Sequence, residues 1–180
     1  MFSDFCTFAT AQIKSTDIDP AYPVLARTYD LLGFNTPTRY WFTLLYVAFY
    51  NLGSAYAAWQ QYPHVQVIEP PFRYATGIER RGFRGNDLAA VFVNSCLAAS
   101  DGNIAGWMQS VSAPGGQAGW RAVRAEFQKI RYAGAWASYK WADLMKHVHN
   151  LDITADDIGD SLKPAAGGCA ARSAAPAPDC

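Results

Sequence analysis

Net charge is what this chain most plainly lacks: fifteen lysines and arginines balance fifteen aspartates and glutamates over 180 residues. Taken whole, that balance argues against a nucleic-acid partner, because phosphate backbones are met by excess positive charge. Cysteine is sparse as well. Cys6, Cys96, Cys169 and Cys180 form no CxxC pair and hold no ligand spacing with His64, His147 or His149. A zinc site and a disulfide framework are therefore not expected, and no metal is assigned; a reducing cytoplasm fits best. The first residues, MFSDFCTFATAQIK, carry Asp4 early and no basic stretch ahead of an apolar one, the wrong order of charges for a secretory signal. Repeats are absent and strand patterns are scarce.

What is present is apolar. About half the residues are hydrophobic, enough for one sizeable core and too few residues for two. One α-helical domain is expected over residues 1–162. A tail over residues 163–180, containing PAAGGCAARSAAPAPDC, has too few large apolar groups to order itself and is expected to be flexible.

The charges are also segregated along the chain. Residues 1–72 carry three basic groups against five acidic, residues 73–146 ten against five, and residues 147–180 two against five. A basic middle can gather into one face able to meet a phosphate backbone, although a solvated surface has the same composition.

Helix punctuation is clear. Asp19 before Pro20 reads as an N-cap, Gly33 as the close of that helix, and Thr36-Pro37 as the next start. Tyr40 to Trp59 then runs apolar without a charge, long enough to raise a membrane span. Thr43, Tyr46, Tyr50 and Ser54 recur at three- or four-residue spacing with Asn51 beside them, which favours a buried central helix along a polar cleft over lipid. Asp87 caps a helix through Ala99, and a shorter one covers Ile104 to Val111. From Gly119, Trp120, Val123, Phe127 and Ile130 form an apolar stripe with Arg121, Arg124 and Arg131 on another. Ala133 and Gly134 break this helix, and Trp136 to Val148 resumes. The class is mainly α.

A helix, a small-residue turn and a second helix leave backbone N–H groups at Gly134 and Trp136 open to a phosphate, with Lys140 one turn on. Helix-hairpin-helix modules of DNA glycosylases are built this way and carry an aspartate beyond the second helix, which "ITADDIGD" resembles. Their hairpins read Gly-x-Gly; Trp136 stands here at the second glycine. Taken in order, "RYWFTLLYVAFYNLGSAYAAW", "TGIERRGFRG", "AGAWASYKWADLM" and "ITADDIG" resemble the amino acid:DNA transferase family of bacteriophages over roughly residues 15–160. Family members end in a Ser-Gly-Pro-like segment where this chain has "SLKPAAGGC".

The resemblance implies a compact multi-helix domain like the DNA glycosylase fold, encoded by a phage and working in the bacterial host cytoplasm. The implied reaction is thymine hypermodification: an amino acid such as glycine or serine replaces pyrophosphate on an activated 5-hydroxymethyluracil in double-stranded DNA. Free amino acid and DNA are the partners; no cofactor and no membrane are expected. Arg80, Arg81 and Arg84 have the planar forks that stabilise a departing pyrophosphate. Glu79 either orients an arginine or receives the ammonium group of the amino acid. The attacking amine must lose a proton, and Asp156 or Asp157 is the expected base. Tyr46, Tyr50 and Asn51 are expected to line a pocket for the base, and Arg121, Arg124, Arg131, Gly134, Trp136 and Lys140 to serve DNA binding. His147 and His149 are expected at the surface. A non-catalytic helical DNA-binding module and a glycosylase-like enzyme remain alternatives.

Overall fold

A computed structural model describes Asp19 and residues 21–156. The expected tail, the domain's end at residue 162 and Asp157 lie outside the described residues. Among those residues are seven α-helices and one 3₁₀ helix, with no strand beyond an isolated parallel bridge between Gly116 and Ile153. The mainly α class holds.

Helix α1, Ala21–Leu31, opens where the Asp19 carboxylate accepts the Ala21 N–H at 3.0 Å. It closes with Gly33 at φ 64°, the Gly33 N–H on the Asp30 carbonyl and the Phe34 N–H on the Tyr29 carbonyl. That pair of bonds is the glycine-terminated C-cap the sequence announces. Helix α2, Thr36–Phe49, is capped one residue ahead of the expected Thr36, because the Asn35 carboxamide accepts both the Thr38 N–H and its hydroxyl.

The apolar run does not form one helix. It breaks at Tyr50, whose backbone is left-handed at φ 46°, and restarts as α3, Leu52–Gln61. Asn51 causes the restart: its side chain accepts the Ser54 N–H at 3.0 Å, giving the backbone an alternative to the helical ladder. Every residue of α2 from Tyr40 to Phe49 is buried in protein, so its hydrophobicity belongs to a central core helix. Among the described residues no single helix is long and apolar enough to cross a membrane.

Between α3 and the 3₁₀ helix, Ile78–Phe83, the chain has no regular secondary structure. Side chains from helix α4, Leu88–Ser100, and from the residue before it hold that segment. Asn94 accepts the Ile68 N–H and donates to the Ile68 carbonyl, each at 2.8 Å, and the Asp87 carboxylate takes the Phe72 N–H and pairs with Arg73. Asp87 is therefore drawn away from capping α4; Asn86 accepts the Leu88 N–H in its place. Gly77 ends the segment against the α2–α3 break, its N–H on the Phe49 carbonyl at 2.8 Å.

Helix α5, Ile104–Ser112, leads to α6, Gly116–Gln128, and α7, Ala135–His147, which pack against each other. Trp120, Val123, Phe127 and Ile130 are all buried, as the stripe requires. Phe127 and Trp141 stack with centroids 4.4 Å apart and planes 5° from parallel, joining the two helices. Helix α2 is the hub: α3, α4, α5, α7 and the 3₁₀ helix all pack on it. The 3₁₀ helix and the start of α7 are thereby brought to the end of α2 where Tyr46 and Tyr50 lie.

Candidate functional site

Tyr46 and Tyr50 occupy successive turns at the C-terminal end of α2, their rings 5.1 Å apart. Around them gather residues from three other parts of the chain. The Tyr50 hydroxyl donates to Asp19 Oδ2 at 2.8 Å, and Lys140 Nζ donates to the same oxygen at 2.9 Å. Lys140 also reaches the Tyr22 hydroxyl at 3.3 Å, which itself donates to Asp143 at 2.7 Å. His147, one turn beyond Asp143, lies 3.6 Å from its other oxygen. Two carboxylates, an ammonium and two phenols thus form one hydrogen-bonded centre, about four-fifths removed from solvent at Lys140 and Asp19.

The electrostatics follow from that burial. Desolvation works to raise the Asp19 pKa, but the Lys140 bond, the Ala21 N–H and the Tyr50 hydroxyl outweigh it, and the net shift is downward. Desolvation pushes Tyr22 and Tyr50 far up, reinforced by Asp143 for Tyr22 and by Tyr46 and Asp19 for Tyr50. Tyr46 is raised by desolvation, then by Asp19 and by Glu79. The Glu79 carboxylate is thus within electrostatic reach of the tyrosine pair, although its side chain is exposed. Glu79 has no ion-pair partner among the described residues.

Trp136 links this centre to the arginine block. Its ring meets Tyr50 edge-on at 4.9 Å, and the Arg80 guanidinium lies 5.7 Å from its centroid. Here the three arginines part company. Arg80 is only 5% exposed, sandwiched by Phe83 and Phe92 at 4.7 Å each, with Nε on the Val47 carbonyl and Nη1 on the Tyr132 carbonyl. Nη2 has no hydrogen-bond partner, and burial lowers the guanidinium's pKa to about 10. Arg81 and Arg84 are exposed, Arg84 donating to the Thr76 hydroxyl at 3.0 Å. The expected cluster of three forks on one anion is therefore split into one internal brace and two surface cations. In a 3₁₀ turn residues three apart share a face, and Arg80 faces inward with Phe83; composition alone does not distinguish it from Arg81 and Arg84.

Other expected residues are placed differently from their sequence reading. Asn51 is the cap of α3 rather than a mid-helix amide. Lys140 points into the polar centre, held by Asp19, rather than along a surface. Arg121 is ion-paired with Asp156 at 2.9 Å, which commits that aspartate to a cation on α6. Arg124 is half-buried and Arg131 exposed; Gly134 is the N-cap of α7 without a side-chain cap. His149 is not a surface residue. Its Nε2 lies 2.7 Å from the Thr43 hydroxyl, itself 2.7 Å from the Tyr29 hydroxyl, and the Tyr40 ring lies 3.9 Å away. Desolvation, then the Arg39 charge, pushes its pKa down to about 3, so the ring is neutral.

Tyr22 and Asp143 are not among the site residues expected from the sequence. A signal existed: Lys140, Asp143 and His147 recur at three- and four-residue spacing on one face of α7. No comparable signal links Asp19 to them. Among the described residues no group of three metal-ligating side chains is present. The Cys96 thiol is fully buried and its pKa raised by desolvation, the reverse of a nucleophile's. Comparison with protein-family models gives no match, and comparison with curated protein sequences gives no significant one.

Proposed function

We propose that the chain transfers an amino acid onto a pyrophosphate-activated 5-hydroxymethyluracil in phage DNA, inside the bacterial host. One observation carries the reading. The arginine block, the hairpin and the end of the apolar helix, far apart in sequence, converge through the chain of contacts Arg80, Trp136, Tyr50, Asp19 and Lys140. These are the blocks on which the family resemblance rests, and their meeting point joins cationic, anionic and aromatic groups.

In this reading the amine nitrogen attacks the methylene carbon on C5 of the base. The carbon–oxygen bond to pyrophosphate breaks, and pyrophosphate leaves with the electron pair. Arg81 and Arg84, the two surface guanidiniums of the 3₁₀ turn, meet its oxygens as charge develops. Glu79 takes the proton released by the amine, since it is a carboxylate near the tyrosines that holds no cation, whereas Asp19 and Asp156 each hold one. Tyr46 and Tyr50 form the wall against which the pyrimidine rests, and the helix-hairpin-helix-like α6–α7 pair, through Arg121, Arg124, Arg131 and Gly134, holds the duplex. Arg80 braces the site from behind by tying the turn before α7 to α2.

The test is incubation of the purified chain with duplex DNA bearing the pyrophosphorylated base and labelled amino acids, followed by digestion to nucleosides and mass measurement. A nucleoside heavier by an amino acid residue is expected, with free pyrophosphate in equal amount. Loss of the base would instead identify a glycosylase-like enzyme, and unchanged nucleosides with a tight gel shift a binding module.

A further inference from the structure

We propose that the turn between α6 and α7 is a DNA-inserting element, in which the Tyr132 ring enters the base stack and Arg131 meets the adjoining backbone phosphate. The inference rests on DNA being the substrate, but not on the transfer chemistry.

Tyr132 is held in an unfavourable way. Its backbone is left-handed at φ 65°, a conformation glycine adopts freely and a residue with a Cβ does not. The ring is 47% exposed and meets Phe83 edge-on at 6.0 Å, so about half of it still faces solvent. Strain at an exposed aromatic is better explained by what the ring does in solution than by packing.

The turn that carries it is fixed at three points. The Ala133 N–H closes on the Ile130 carbonyl at 3.0 Å, the Arg131 N–H on the Ser95 hydroxyl at 3.1 Å, and the Tyr132 carbonyl accepts from buried Arg80 Nη1 at 3.1 Å. A rigid turn presenting an aromatic ring spends little conformational entropy on insertion. The surroundings select the partner. Arg131 and Arg81 are both exposed and have no carboxylate partner among the described residues. An exposed aromatic ring next in the chain to one unpaired guanidinium, Arg131, and bonded through its carbonyl to the neighbour of a second, Arg81, matches flat bases flanked by phosphates. Among the described residues of the 3₁₀ helix and the α6–α7 turn, Ile78 is the other large exposed apolar side chain, too little for the dry centre of a protein interface.

The experiment uses unmodified duplex DNA carrying 2-aminopurine, whose fluorescence rises when it is unstacked, titrated with the full chain across a salt series. Wild-type protein is expected to raise the fluorescence at saturation. Tyr132→Gly, which suits the left-handed turn and should keep the thermal midpoint, is expected to bind without that rise, while Tyr132→Phe retains it. Arg131→Gln is expected to lower the slope of log K against log salt by about one. Absence of duplex binding, a full fluorescence rise with a folded Tyr132→Gly, or an unchanged slope with Arg131→Gln would each overturn the proposal. Insertion without amino acid transfer on activated DNA would leave it standing and remove the proposed function alone.

Discussion

Lys140 Nζ lies 2.9 Å from Asp19 Oδ2, joining residues 121 positions apart across the polar centre. The pair is mostly withdrawn from water, so each charge depends on the other more than a surface pair would. Lys140→Met leaves Asp19 and Asp143 facing each other with the loss of their shared cation. Urea denaturation should show a stability loss of about 2 kcal/mol, below the range for fully buried pairs because both side chains retain some exposure. The proposed transfer activity should fall with it. A variant as stable as wild type would mean that the ion pair contributes nothing net.

Arg80 is expected to tolerate no substitute. A lysine has one ammonium where the guanidinium reaches the Val47 and Tyr132 carbonyls at once. Arg80→Lys leaves at least one buried acceptor unpaired, a cost of about 1–3 kcal/mol, readable as a lower denaturation midpoint with an unchanged m-value.

Gly77→Ala tests the docking of the segment before the 3₁₀ helix. An added Cβ would stand 2.5 Å from the Tyr50 carbonyl oxygen, part of the backbone that ends α2. The segment must shift, at a cost of about 1–3 kcal/mol. Because Glu79 and the arginines follow two residues on, activity should fall more steeply than stability. Equal thermal midpoints for the two proteins would contradict this contact.

His149 sets a pH dependence of defined sign. In the unfolded chain it takes up a proton as pH falls below about 6.5, but in the fold it does not until about 3. Between those values the unfolded state binds more protons, so stability is full above the upper limit and declines as pH drops through the window. Asp19, whose pKa is lowered, adds loss of the same sign below its ordinary 3.8. His149→Gln keeps a hydrogen-bonding group for Thr43 without the titration, and its unfolding midpoint should vary less between pH 6.5 and pH 4 than that of wild type.

The helices were legible because their signals are local: Gly33 at a C-cap, Asp19 and Thr36-Pro37 at or beside N-caps, and the Trp120 to Ile130 stripe each act within a turn or two. The break at Tyr50 was not, since Asn51 reads equally as a buried amide or as a cap until the chain is seen to turn there. The candidate site was half legible. Tyr46, Tyr50, Glu79 and Trp136 do lie near one another, but the inward turn of Arg80 and the capture of Lys140 by Asp19 depend on how distant helices pack, which no spacing along the chain encodes. The neutral state of His149 likewise comes from burial against α1 and α2 and from the Arg39 charge, none of it adjacent in the chain.

Asn94 has a quieter consequence. By giving and taking one hydrogen bond each with Ile68, its carboxamide imitates the peptide group of an adjacent strand. Extended backbone left open in this way invites a stranger's chain to lie alongside it. With both polar groups of Ile68 taken by one carboxamide, that residue offers no open edge for a second strand to join.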